Sequence, residues 1–179
     1  MNLFFLDFDL KKCAEYHCDK HVVKMILELT QMLYTAHHIL KMKLPDNAYK
    51  PIRNHNHPMC VWVRKSKENY TFTSELAMCL SEEYTYRYKR EHSCHKHLLF
   101  LKNNYPDFNQ KVEYTKQVYL SDMSPDMEKL NLTPIPLCMP DDCKTTKDVI
   151  QGYRNYYIAK KSHFVKWKNR PIPEWYIIS

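Results

Sequence analysis

Between Leu10 and about Met42 the chain contains neither glycine nor proline, and its apolar residues recur every three or four positions: Val22, Ile26, Leu29, Leu33, Ala36 and Leu40. That period marks one face of an α-helix laid against a core. Beside it runs a second line of the same period that is polar throughout: His17, His21, Lys24, Glu28, Gln31, Thr35 and His38. The pattern predicts one long helix, or two joined near Cys18 and Asp19. Asp9 caps its start and Pro45, Asp46 and Asn47 end it. Residues 2–6 read as a short buried extended segment. Pro58 suits the first turn of a helix capped by Asn56 or His57. This helix is expected from Met59 to about Arg90, with Val63, Tyr70, Ala77 and Tyr84 as its apolar seam. A neighbouring line of Trp62, Ser66, Asn69 and Thr73 is apolar only at its start. A shorter helix is expected from His95 to Lys102 and a last one from about Thr146 to His163, followed by an extended tail. Tyr105 to Cys143 carries five prolines and reads as an irregular crossing loop with one helical turn around Val112. The sum is an all-α protein. It forms a single compact helical domain over 1–179, with a short extended start, an irregular loop over about 105–143 and a basic, aromatic C-terminal helix and tail over 144–179.

Composition narrows the function. The chain has 179 residues, 44% of them hydrophobic, enough to bury a real core. Its apolar runs are short and broken by charge, so no membrane span is expected. The start lacks a basic stretch and meets Asp7 and Asp9 early, which argues against a secretory signal. Seven cysteines, an odd number, read as reduced thiols rather than a disulfide framework. A single glycine excludes the glycine-rich phosphate loops of nucleotide-binding folds. The net charge of +7 is uneven: residues 105–142 carry three basic and seven acidic side chains, and residues 143–179 carry eight and two. That last stretch interleaves its lysines and arginines with tyrosine, phenylalanine and tryptophan. The combination suits phosphate neutralisation and base stacking, and equally a solvated surface over packed rings.

The polar stripe gathers imidazoles, an amine, a carboxylate, an amide and a hydroxyl, groups suited to proton transfer and substrate binding. His17 and His21 have a spacing that lets two imidazoles share an ion. His55, His57 and Cys60, and His92, Cys94, His95 and His97, form further groups. None has paired C-x₂-C spacing, so no metal is assigned and no cofactor is expected, although a metal is left open. No thiol stands out as a nucleophile. Glu28 lies two helical turns after His21. A few extended residues ahead of the helix can hold an α-amine near it, and such an amine is partly unprotonated at neutral pH. An amine attacking a sugar C1′ forms a Schiff base, and a carboxylate manages the protons.

The stretch Asp19-Lys20-His21-Val22-Val23-Lys24-Met25-Ile26-Leu27-Glu28 resembles the first helix of the endonuclease V-type pyrimidine dimer DNA glycosylases, in which a histidine precedes the catalytic glutamate by seven positions. The segment from Tyr49-Lys50 to Asn56-His57-Pro58 is similar to one in some bacterial members. The whole chain also resembles a widespread group of phage and large DNA virus proteins through Phe5-Leu6-Asp7, Cys18–Met25, Asn56-His57-Pro58, Met139-Pro140-Asp141 and Lys166-Trp167. The resemblance implies a metal-free DNA-directed base-excision enzyme, a glycosylase with lyase activity. Its site would use the Met1 amine and Glu28, with His21 in support. It also implies a DNA partner and a place in the cytoplasm or nucleus of an infected host cell or in a virion, to which the apolar pattern and the acidic start add no membrane and no secretion. Leu3 and Leu27 depart from the arginines of the family, and Asn2 is expected to leave Met1 in place. Expected substrate contacts are His17, Lys24, Gln31, His57 and Asn69. Expected phosphate contacts are Arg64, Lys65, Arg87, Arg154, Lys160, Lys161, Lys166, Trp167, Lys168 and Arg170. Two other readings stay open: an enzyme for a nucleotide or modified base, built from His17, His21, Glu28, His57 and Asn69 with or without a metal, and a non-catalytic nucleic-acid-binding or virion protein.

Overall fold

Asp9 starts the first helix as its position predicts, its carboxylate accepting the Lys12 N–H at 3.0 Å. In a computed structural model that describes residues 2–176, α1 (Leu10–Tyr16) and α2 (Asp19–Ile39) are two helices joined at His17 and Cys18. They are followed by α3 (Pro58–Val63), α4 (Lys67–Tyr88), α5 (His95–Asn103), α6 (Pro125–Lys129) and α7 (Val149–Lys161). Single 3₁₀ turns cover Asp141–Cys143 and Glu174–Tyr176. The protein is all-α: the described residues contain no strand, only one isolated bridge between Leu120 and Pro136. α2 packs chiefly against α4, and α1 and α5 against the same helix. Leu3, Phe4, Phe5 and Leu6 run extended through the core, where Phe5 meets Trp62 and Phe72 at ring separations of 5.4 Å. Burying each such side chain stabilises the fold by roughly 1.5–3 kcal/mol.

Three expectations are corrected. The helix expected from Met59 to Arg90 breaks at Arg64–Ser66, because the Ser66 hydroxyl turns back to accept the Asn69 N–H at 3.1 Å and caps a new helix. Val112 is not helical; the turn in the long loop is α6, nucleated by Ser124 as cap and Pro125 at the first position. The last helix starts at Val149 rather than Thr146, since Asp148 accepts the Gln151 N–H at 2.9 Å. The single glycine, Gly152, lies inside α7. A Cβ there would approach the Met139 sulfur to 3.1 Å and the Cys143 carbonyl to 3.3 Å, so glycine lets residues 139–143 press onto the helix. Left-handed turn positions are taken instead by Lys41, Lys89, Asn131 and Asn169.

Asn69, expected to contact substrate, is fully buried. Its amide donates to the Trp62 carbonyl (2.8 Å) and the Thr133 hydroxyl (2.7 Å) and accepts the Thr133 N–H (3.1 Å), tying the long loop to α4. Arg87, expected on a phosphate, is enclosed as well. It donates to Glu83 (2.6 Å), Asp19 (2.8 Å) and the Glu15 carbonyl (2.9 Å). Arg170 joins the same network through Glu83 (2.8 Å) and Glu15 (3.2 Å), and the Asp19 carboxylate accepts the Lys168 N–H. The C-terminal tail is thereby clamped across the α1–α2 junction.

Burial alone would raise the Glu83 pKa, but hydrogen bonds from Arg170 and Arg87 outweigh it and hold the carboxyl below its usual range. A depressed folded pKa contributes stability above the unfolded value, near 4.3, that is lost as pH falls through the folded one. Chemical denaturation at neutral pH should therefore show Glu83→Gln less stable than wild type, and the gap should narrow as the series is carried below about pH 4. Arg87→Met should cost about 3 kcal/mol, because the buried Glu83 is left with Arg170 alone and the half-buried Asp19 loses its ion pair.

Candidate functional site

The polar line on α2 meets three different environments. At its C-terminal end it receives the loop that follows the helix. The His38 Nε2–H donates to the Tyr49 carbonyl (2.9 Å), and the Thr35 hydroxyl accepts the Ile52 N–H (3.0 Å). Gln31 borders a cleft of about 470 Å³ with Tyr49, Lys50, Pro51, Ile52 and Arg53. The loop thus retraces α2 backwards and delivers His57, whose Nδ1 accepts the Met59 N–H (3.2 Å) as the cap of α3. At the N-terminal end, His17 and His21 are buried in a nest of rings. His17 donates from Nδ1 to the Cys13 carbonyl (2.7 Å), and His21 bonds to the Tyr157 hydroxyl and stacks on Phe4 (4.6 Å). His17 therefore has no open approach for substrate, and His21 is enclosed by Phe4, Tyr157 and Phe164.

Glu28 lies between these ends. Its side chain is 13% exposed, pairs with Lys24 (3.2 Å) and accepts the Asn2 N–H (3.3 Å). Asn2 also donates from its amide to the Cys138 carbonyl at 2.7 Å. Cys138 lines a cleft of about 380 Å³ together with His57, Gln117, Tyr119, Met139, Lys144 and Tyr156. Asn2 therefore links the helix carboxylate to the wall of an open cleft. Burial holds the His57 imidazole below its ordinary pKa, with the Glu28 charge pulling the other way, so the two groups sense one another. Two rings in the cleft carry a lysine over their faces: Lys144 lies 4.6 Å from Tyr119, and Lys161 lies 4.7 Å from Tyr156. Tyr119 is 65% exposed. The arrangement offers a carboxylate, an imidazole, stacking rings and cations within one region.

The Met1 amine lies outside the described residues. Of the residues expected on phosphate, Arg64 is buried and donates to the His55 carbonyl (2.6 Å), holding the loop that carries His57. Lys65 donates to the Val112 carbonyl (2.9 Å). Arg154 donates to the Leu6 carbonyl and pairs with Asp7, and Lys160 pairs with Asp142 (2.6 Å). Trp167 donates to the Tyr16 carbonyl (2.9 Å), while Lys166 and Lys168 are exposed beside it on the clamped tail. The structure thus divides the basic residues between architecture, as with Arg64, Arg87, Arg154 and Arg170, and surface. Asn2, Tyr119 and Lys144 were not singled out from the sequence; the last two lie in or beside the proline-rich loop, where no periodicity marks them.

The histidine groups do not converge on an ion site. His92 accepts the Cys94 N–H, while His95 and His97 bond to Ser81 and Tyr34. Among the described residues no cluster of three or more His, Cys, Asp or Glu side chains could hold a metal. Among the same residues, no helix is long and apolar enough to cross a membrane. Comparison of the chain with protein-family models, curated proteins and solved structures returns no match.

Burial lowers the pKa of His17 to about 4 and of His21 to about 3. Both are neutral in the fold, and acidification from about 6.5 progressively favours the unfolded chain. The imidazole NMR signals of His17 and His21 should stay flat between pH 5 and 8; a titration midpoint in that window would show the ring nest to be open to water.

Proposed function

We propose that the protein is a DNA-directed base-excision enzyme, a glycosylase with lyase activity, in which Glu28 handles protons for an amine at the N-terminal end of the chain. One observation carries the reading: the N–H of Asn2 rests on the Glu28 carboxylate at 3.3 Å, beside an open cleft. Whatever precedes Asn2 is bonded to that nitrogen, so an α-amine on Met1 is within one residue of the carboxylate. Attack by the amine nitrogen on C1′ forms an N–C bond as the glycosidic bond breaks, and the departing base leaves with a proton. The nitrogen lone pair then opens the sugar ring at C1′–O4′, with O4′ taking up a proton, and the iminium so formed acidifies C2′–H; loss of that proton expels the 3′ phosphate. In this reading Glu28 delivers or accepts these protons, and the influence of its charge on His57 supports a shared role. Tyr119 and Tyr156 supply faces for a base taken out of the stack, and Lys24, Lys144 and Lys161 supply positive charge around it. The reaction would take place where viral or host DNA is found, in the cytoplasm or nucleus of an infected cell.

Incubation with DNA bearing an abasic site, followed by borohydride, should trap a covalent adduct that maps to the peptide carrying Met1. Glu28→Gln should reduce strand cleavage by about 10²–10⁴-fold while the protein stays folded. Absence of both adduct and nicking on abasic DNA would overturn the reading.

A further inference from the structure

We infer that the cleft bordered by Gln31, Lys50 and Arg53 is a binding subsite for the phosphodiester backbone of nucleic acid flanking Glu28. The inference rests on the nucleic-acid reading above and gives it a second point of contact.

Arg53 differs from the other five arginines of the chain. Arg64 and Arg154 donate to carbonyls, Arg87 and Arg170 to carboxylates, and Arg90 lies over the Tyr84 ring. Arg53 is exposed and has no carboxylate, carbonyl or ring face as partner among the described residues. Lys50 is likewise exposed and without an ion pair there. Neither charge lies on a loose loop. The backbone between them is fastened to α2 by His38 on the Tyr49 carbonyl and by Thr35 on the Ile52 N–H, and Pro51 restricts it further. The backbone that carries the two side chains is thus held in place while their charges stay unanswered.

The cleft lining contains no acid. From Lys41 to His57 the chain carries four basic side chains and one acid, Asp46. Gln31 adds a neutral amide able to donate to a phosphate oxygen. Position gives the cleft its meaning: Gln31 is three residues beyond Glu28 on the same helix face, about 4.5 Å along the axis. A strand whose sugar lies at Glu28, with its base towards Tyr119 and Tyr156, meets the Lys50–Arg53 loop where it runs on along α2 towards Gln31. Isolated guanidinium and ammonium groups on a fixed backbone suit phosphate, which accepts from both.

The test is fluorescence anisotropy of the full chain with a fluorescein-labelled, undamaged 20-base-pair DNA over a salt series. Loss of two phosphate contacts should make the slope of log affinity against log salt shallower by about 1.8 and so weaken binding about 60-fold at roughly 0.1 M salt relative to roughly 1 M. Lys50→Ala/Arg53→Ala should show both effects. Lys11→Ala/Lys12→Ala, which removes the same charge from exposed positions on α1, should show neither. Circular dichroism should confirm that both variants are folded. A wild-type slope for Lys50→Ala/Arg53→Ala overturns the inference. So does an equal loss in the α1 variant, or competition by polyglutamate as effective as by unlabelled DNA, which would make the cleft a general polyanion or acidic-protein surface. Because the DNA is undamaged and nothing turns over, the outcome is independent of borohydride trapping. A changed slope without an adduct would retain the subsite on a non-catalytic binder, and an adduct without a changed slope would remove the subsite alone.

Discussion

A guanidinium with no access to water sits where the first two helices, the fourth helix and the C-terminal tail meet. Such a cation is tolerated only when anions and carbonyls are brought to it. Arg87 obtains Glu83 from its own helix, Asp19 from the first turn of α2 and the Glu15 carbonyl from the end of α1. The requirement propagates outward. Glu83 also accepts Arg170, Asp19 also accepts the Lys168 N–H, and the Asp19 N–H donates to the Lys166 carbonyl. The break between α1 and α2 is therefore a docking point: acids hold the Arg170 side chain and the Lys168 backbone there, while the Lys166 and Lys168 side chains stay exposed. The same junction orients the start of α2, and with it the register at which Glu28 meets Asn2.

Much of this architecture was legible because it is local. Asp9, His57 and the apolar stripe of α2 state their roles within a few residues. The seam of Val63, Tyr70, Ala77 and Tyr84 is buried throughout, yet it runs across the Ser66 break. Periodicity therefore predicted one helix where a capping hydroxyl makes two. Ser124-Pro125 was an equally local signal, overshadowed by the irregular composition around it. What sequence could not divide was the polar stripe. Whether an imidazole faces water, a ring or a returning carbonyl depends on which distant segment arrives, and His21 and His38 differ only in that respect. The same holds for arginine: Arg87 and Arg53 look alike in a string of letters, and only the placement of Glu83 and Asp19 separates them.

The returning loop explains why the stripe is mixed rather than uniformly charged. Thr35 and His38 satisfy backbone groups of a segment that has no regular partner of its own, which a lysine–glutamate face would do poorly. Lys24 and Glu28 lie beyond the reach of that strap. They pair with one another, and Glu28 reaches through Asn2 to Cys138 in the wall of the cleft lined by His57, Tyr119, Lys144 and Tyr156. The one polar line is thus enclosed by rings at its start, carries the Lys24–Glu28 pair in its middle and supports the returning loop at its end.

The lone glycine has a wider meaning. It is placed under the wall of the cleft, while every left-handed turn among the described residues is made by lysine or asparagine. Each of these carries a steric penalty of about 1 kcal/mol that glycine would avoid. The punctuation of the chain, rather than its interior, is where this molecule falls short of its attainable robustness. Evolution or engineering could harden it there without touching a single core contact.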